Sequence, residues 1–386
     1  MRNFTSSLLD QVGFSGIRAV FEKANQLEAA GKKMVHLEIG RLDFDTPEHI
    51  KDAAKEALDQ GLVHYAPNLG LPVFRQAVTA AIQRQTGVSY SDKEVIATIG
   101  ATQGAFLAMA AFLEKGDEVI IPTPTFVSYM NAPRFFAAKP VSLLLKPEDG
   151  FQVNPDALEA AITKRTKMLV LISPHNPTGS VLERETLEAI AALAKKYDFL
   201  VLSDEVYDQM LYEGEKHVSI ASLPGMRERT IMVNSFSKTF SMTGWRLGYM
   251  ATDARLIDPL IRVHQYSVGS ACSFVQAAGA AALNGSSECV EQMVAELSRR
   301  RTFLLENLHP ALIPVKPMGA FYFFLDVRQA GLTAEAAVDL LLDEGVASVP
   351  GPAFGPGGEG FVRLAYATNL EELRLAAEAI NRVLLK

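Results

Sequence analysis

Lys238, in Ser235-Phe236-Ser237-Lys238-Thr239, is the residue best placed in this sequence to do covalent chemistry. It follows the apolar segment Ile231-Met232-Val233 and sits among small and hydroxyl residues, not in a run of charge. A lysine held at the end of a buried strand is desolvated, which lowers its pKa and makes its amine a nucleophile toward an aldehyde. The hydroxyls just before it, and Arg246 eight residues later, are what a nearby phosphate would need. Lysine, aldehyde and phosphate together point to a Schiff base with pyridoxal phosphate. The alternative is a surface lysine on a polar loop.

Other polar residues follow apolar runs in the same way. After Val95–Ile99 come Gly100-Ala101-Thr102-Gln103-Gly104, small residues that open a helix whose N–H groups can bind phosphate. The same pattern also serves as a plain tight turn. After Met168–Ser173 comes Pro174-His175-Asn176-Pro177-Thr178-Gly179, a rigid loop that is either a turn or a frame for Asn176. After Phe199–Ser203 comes Asp204-Glu205-Val206-Tyr207. An aspartate there is costly unless it meets a cation, and a protonated pyridine nitrogen is one. Helix capping by Asp204 is the competing reading. The stretch Gly355-Pro356-Gly357-Gly358-Glu359-Gly360 matches G-x-G-x-x-G in form only. A strand follows it instead of a helix, so it is no dinucleotide fingerprint.

The elements that must position these residues follow from the hydrophobic pattern. Runs rich in Val, Ile and Leu occur at Val95–Ile99, Glu118–Ile121, Val141–Leu145, Met168–Ser173, Phe199–Ser203, Thr230–Ser235 and Leu247–Ala251. Helical stretches such as Thr102–Leu113 and Arg184–Tyr197 separate most of them. This predicts an α/β fold: a three-layer α/β/α large domain around a mostly parallel seven-stranded sheet. Ligands bind beyond the carboxyl ends of such strands. The N-terminal segment predicts a helix at Ile17–Ala30 and a strand at Met34–Ile39. Thr46-Pro47 then opens a further helix with a capping hydroxyl. The last hundred residues predict a long helix from Ser287 to Asn307, strands at Phe321–Val327 and Phe361–Ala365, a helix at Ala334–Asp343 and a final helix from Leu370. The large domain is expected at 46–285. A smaller α+β domain is expected from 1–45 with 286–386, with the ligand site in the cleft between them.

At 386 residues the chain exceeds the usual size of a single core. Its net charge of -7, with no basic block, argues against nucleic acid or an anionic membrane as partner. No apolar run is long enough to cross a bilayer, and no signal peptide is visible. Cys272 and Cys289 form no disulfide framework or metal spacing and read as buried small residues, so the expected location is cytoplasmic.

Ser-x-Ser-Lys with Gly-Trp-Arg-Leu-Gly beyond it, Asn-Pro-Thr-Gly, Asp-Glu-Val-Tyr and a late Val-Arg-Leu strand resemble the class I/II aminotransferases of pyridoxal-phosphate fold type I, the aspartate aminotransferase-like superfamily. The order holds from Leu37-Glu38-Ile39-Gly40 to Phe361-Val362-Arg363-Leu364. The resemblance implies that Lys238 carries the cofactor as an aldimine and shuttles the proton at the substrate Cα. It implies that Asp204 faces the pyridine nitrogen, that Tyr207 and Asn176 meet the ring oxygen, and that Phe126 stacks on the ring. Ala101, Thr102, Ser235 and Arg246 would hold the phosphate. Tyr65 would reach the phosphate of the neighbouring subunit, which implies a homodimer with the site at its interface. Arg363, with the Gly40 backbone and Asn176 beside it, would bind the substrate α-carboxylate. The implied activity is ping-pong transfer of an amino group between an L-amino acid and a 2-oxo acid, without a metal.

Departures from the family pattern bear on the substrate. The family's usual Gly-Glu-Pro-Asp-Phe is here Gly40-Arg41-Leu42-Asp43-Phe44. Thr102 stands where one aspartate aminotransferase branch has a lysine for the distal carboxylate. Phe14, Ile17 and Tyr322 are candidates for an apolar side-chain pocket or for plain packing. The same cofactor residues would also serve a β-lyase, a decarboxylase or a cyclising synthase. A non-catalytic sensor would need a basic recognition helix, which this sequence lacks.

Overall fold

The computed structural model describes residues 4–385, so residues 1–3 and 386 of the expected small domain lie outside the described residues. In chain order the strands are β1 (Val35–His36), β2 (Val95–Thr98), β3 (Glu118–Thr123), β4 (Lys139–Leu144), β5 (Thr166–Ile172) and β6 (Leu200–Asp204). They continue as β7 (Thr230–Ser235), β8 (Gly248–Ala251), β9 (Tyr322–Asp326), β10 (Val346–Ala347), β11 (Val349–Pro350) and β12 (Phe361–Ala365). Seven of them form one sheet in the order β2-β8-β7-β6-β5-β3-β4. The strands β3 to β7 pair in parallel, and β8 runs antiparallel to both its neighbours.

Alternation along each strand explains why this sheet is covered on both faces. Ile96, Val119, Val170, Leu202 and Val233 point into one apolar cluster with the helix Ala101–Phe112. Their neighbours Val95 and Met232 pack on the opposite face with helices Glu48–Asp59, Pro72–Thr86 and Ser273–Asn284. Ile120, Leu169 and Val201 pack with the helix Arg184–Tyr197. Strands apolar on both faces require this, because either face left in water would expose Val, Ile and Leu.

Two smaller sheets tie the chain's ends together. β1 pairs in parallel with β10, and β9 and β11 flank β12 in antiparallel pairs. The Ala365 N–H donates to the Leu37 carbonyl at 2.7 Å, which sets the segment leading to Gly40 beside the strand that carries Arg363.

Three expectations need correction. The strand expected at Met34–Ile39 is only Val35–His36, because Leu37 turns to bond β12 and the chain then enters the cleft. The Thr46 hydroxyl does not cap the helix Glu48–Asp59. It donates to the Ser241 carbonyl and accepts from the Trp245 indole, fastening this segment to the chain just beyond Lys238. Finally, Cys272 is exposed and Cys289 half-buried, since both sit at the first turns of helices that open on the surface.

Candidate active site

The polar ends of β5, β6 and β7 and the start of the helix Ala101–Phe112 open into one cleft of about 830 Å³. It is lined by Gly40, Ala101, Thr102, Phe126, Asn176, Asp204, Tyr207, Ser235, Lys238, Arg246 and Arg363. These residues are spread over more than three hundred positions. The parallel strands β5, β6 and β7 bring most of them together because they end on the same side, and β12 with the segment leading to Gly40 supplies Arg363 and Gly40. Tyr65 is the one predicted site residue outside the cleft; it is 99% exposed. Of the proposed pocket residues, Ile17 and Tyr322 line the cleft, whereas Phe14 does not and is fully exposed.

Ser235, the last residue of β7, caps a short helix, Phe236–Thr239, by accepting the Ser237 N–H at 3.1 Å. That turn presents Lys238 to the cleft, where its Nζ donates to the Gly40 carbonyl. Desolvation, and then the cations of Arg363 and Arg246, push the Lys238 amine down to about 8, against a smaller opposing pull from Asp204. An appreciable fraction is therefore unprotonated and nucleophilic near neutrality.

Asp204 ends β6 and is 8% exposed. Burial raises its pKa to about 6, partly offset by the Tyr129 hydroxyl at 2.6 Å and the Val206 N–H at 3.1 Å. No helix follows Asp204, which removes the capping alternative; its side chain closes a turn instead. It makes no salt bridge among the described residues and lines the cleft, with Lys238 acting on its charge only at a distance. Tyr207 packs edge-on against Phe321 and Tyr322, and its hydroxyl lies 2.8 Å from that of Tyr322.

The phosphate side is built from backbone. Gly100 precedes the helix at φ +92° with no side-chain cap, so the first N–H groups open to the cleft. Its missing Cβ makes room for Arg246, since a Cβ there would clash with the guanidinium Nη2. Arg246 is held by the carbonyls of Thr243 and Ile99 at 3.0 and 3.1 Å, with no carboxylate partner among the described residues.

Arg363 is 1% exposed, sandwiched between the rings of Tyr322 and Phe354 at 4.7 and 4.9 Å. Its guanidinium donates to the Glu38 carbonyl and to Asn176 Oδ1 at 3.3 Å, while its Nε has no partner. A buried guanidinium with an open donor and no salt bridge is suited to an incoming carboxylate.

Buried, unpaired charges of both signs, an uncapped helix start and a desolvated lysine fit pyridoxal phosphate group by group. Sequence reasoning missed two members of this site. Tyr129 stands three residues after Phe126 in a stretch already singled out, but its hydroxyl is committed to Asp204. Glu38 lies two residues before Gly40 and is fully buried.

The sequence profile for "Aminotransferase class I and II" matches residues 32–380. The chain belongs to this family. It is an aminotransferase, in a class whose members depend on pyridoxal phosphate. Among curated relatives, an aspartate aminotransferase of Pyrococcus abyssi is 46% identical, over 98% of each chain. "Aromatic-amino-acid aminotransferase 2" of Thermococcus litoralis is 42% identical, also over 98% of each. The solved aspartate aminotransferase of Thermus thermophilus with maleate superposes over the whole of both chains with a TM-score of 0.95 at 41% identity. The aminotransferase thus has the fold type I architecture, with amino acids and 2-oxo acids as its substrate class.

Proposed function

We propose that this aminotransferase exchanges an amino group between L-amino acids and 2-oxo acids in two half-reactions at one site, centred on Lys238. The observation that carries this reading is the convergence of a desolvated Lys238, a buried unpaired Asp204 and a buried unpaired Arg363 on one cleft. Bound there, pyridoxal phosphate would supply an electrophilic carbon and a ring that stores the electron pair left when Cα loses its proton. Asp204 would hold the ring nitrogen protonated, and its pKa would fall as the pair forms. Tyr207 and Asn176 would orient the ring oxygen, and Phe126 would cover the ring face. The N–H groups at Ala101 and Thr102, with Ser235 and Arg246, would receive the phosphate. Arg363, Asn176 and the Gly40 segment would fix the α-carboxylate, so that Lys238 Nζ can take the Cα proton and deliver it on the same face. Amino donor and acceptor use the same groups in turn, so the kinetics are ping-pong.

The side-chain end of the cleft carries Ile17, Phe21, Phe106 and Phe135 beside Arg18 and Arg41. This supports acceptance of both aromatic and acidic substrates, in keeping with the names of the relatives above. The same reading includes a homodimer in which Tyr65 of one subunit reaches its neighbour's site. It also divides the chain at 46–285 and at 1–45 with 286–386, and places it in the cytoplasm, where its two free thiols stay reduced.

Borohydride reduction of the holoenzyme followed by peptide mapping tests the centre of the proposal. The expected label is on Lys238, and Lys238→Ala is expected to lose both label and turnover. Label elsewhere, or near-normal transamination by the variant, overturns it. A panel of amino acids against pyruvate and 2-oxoglutarate then tests the substrate class.

A further inference from the structure

We propose that Glu38, paired with His36, is a positioning residue that sets the electrostatic potential at Arg363 and so tunes how tightly the substrate carboxylate is held. This rests on the reading that Arg363 binds that carboxylate. Glu38 is wholly buried. One of its oxygens lies 2.8 Å from His36 Nδ1, and the other, Oε2, has no hydrogen-bond partner. The Arg363 guanidinium bonds the backbone carbonyl of this same residue, so the two charges are separated by no more than one side chain and one hydrogen bond. Arg363 makes no salt bridge among the described residues, and Glu38 is the carboxylate that acts on its charge. In so buried a place solvent screens little of that interaction.

His36 connects this buried pair to solvent. Its side chain is 30% exposed, and its Nε2 lies 3.5 Å from Glu28 on the helix Gly16–Ala29. The Phe21 ring of that helix packs edge-on at 6.4 Å. Burial pushes the imidazole pKa down, but Glu38 and Glu28 more than offset this and leave it raised. Below that pKa the His36–Glu38 pair is neutral overall. Above it the pair carries a net negative charge beside Arg363, which opposes an incoming carboxylate. Carboxylate affinity should therefore fall as pH rises through the titration of His36, in addition to any change in charge at Lys238, which also acts on Arg363.

The two members of the pair then have opposite effects when substituted, which a structural role would not produce. The measurement is calorimetric titration of the holoenzyme with 3-phenylpropionate, an unreactive monocarboxylate, at pH values on either side of the His36 titration. Glu38→Gln is expected to bind more tightly than wild type at high pH, by about three-fold or more. At low pH it should still bind more tightly, because its protonated His36 then faces no carboxylate while the wild-type pair is neutral. Its own fall in affinity should come at lower pH, since Glu38 no longer raises the imidazole pKa. His36→Gln is expected to bind more weakly than wild type at low pH by a similar factor and to match it at high pH. Weakening by both variants together, or a pH profile the same in all three proteins, overturns the proposal. Because His36 is partly exposed, its variant carries the test alone should Glu38→Gln fail to fold. Arg363→Lys serves as the control on the underlying reading. If it binds 3-phenylpropionate as tightly as wild type, the carboxylate assignment to Arg363 has failed, whatever Glu38 does.

Discussion

Lys238 titrates near 8 because burial and two neighbouring arginines disfavour its charged form. In the cofactor-free protein its folded pKa therefore lies below the unfolded value, and the protonated amine destabilises the fold at lower pH. The penalty is fully present below the folded pKa and disappears as pH rises toward the unfolded one. Lys238→Met should stabilise the cofactor-free protein at about pH 7 by up to about 3 kcal/mol, with the gain shrinking between about pH 8 and 10.5. Denaturant unfolding at several pH values checks this, and a gain that does not vary with pH would contradict it. Asp204 is the acidic counterpart: with its pKa raised to about 6, its burden is absent at low pH and grows as pH rises toward that value. Tyr129 relieves part of it by donating to Oδ2. Tyr129→Phe should raise the Asp204 pKa further and weaken cofactor binding by about ten-fold, the worth of one hydrogen bond to a charge. Fluorescence titration with pyridoxal phosphate measures that, and an unchanged dissociation constant would contradict it.

At the level of elements, the turn between β2 and the helix Ala101–Phe112 does two things at once. It leaves helical N–H groups open, and through Gly100 it lets Arg246 lie against the backbone. Gly100→Ala should be strained at φ +92° and should push Arg246 aside, lowering affinity for pyridoxal phosphate at least about ten-fold with a smaller effect on folding. Equal loss of affinity for pyridoxal, which has no phosphate, would show that the damage is not at the phosphate cradle. Such turns were legible in the sequence because each follows an apolar run at a strand end. The seven runs of the large sheet reappear as β2 to β8 with no end moved by more than two residues. What the sequence hid were pairings between distant segments. Nothing local marks the Thr46 hydroxyl as a partner of Ser241 and Trp245, or Tyr129 as the donor to Asp204. Glu38 was equally illegible. A glutamate in Leu37-Glu38-Ile39 reads as the exposed face of a strand, and only the crossing of β12 over this segment buries it beside Arg363.

The whole molecule raises one question that a single chain leaves open, namely what covers Tyr65. Tyr65 is 99% exposed and Val63, two residues before it, 58% exposed, so both are open to contact a second chain. In the proposed homodimer, Tyr65 of each subunit completes the phosphate site of the other, so neither site is whole in a lone chain. An isologous dimer makes this testable by complementation. Protomers carrying Lys238→Ala keep an intact Tyr65 but have a dead site of their own. Protomers carrying Tyr65→Ala keep Lys238 but deprive their neighbour. In a mixed dimer the Lys238-bearing site receives the wild-type Tyr65 of its partner and is complete, while the other site is dead. Random exchange of subunits makes half the dimers mixed, so the mixture should recover about a quarter of wild-type activity at limiting cofactor. Each variant alone should fall well below that level under the same conditions, and light scattering should give twice the chain mass. Failure of the mixture to exceed the mean of the two variants, with exchange confirmed by mass spectrometry, would place Tyr65 outside the neighbour's site.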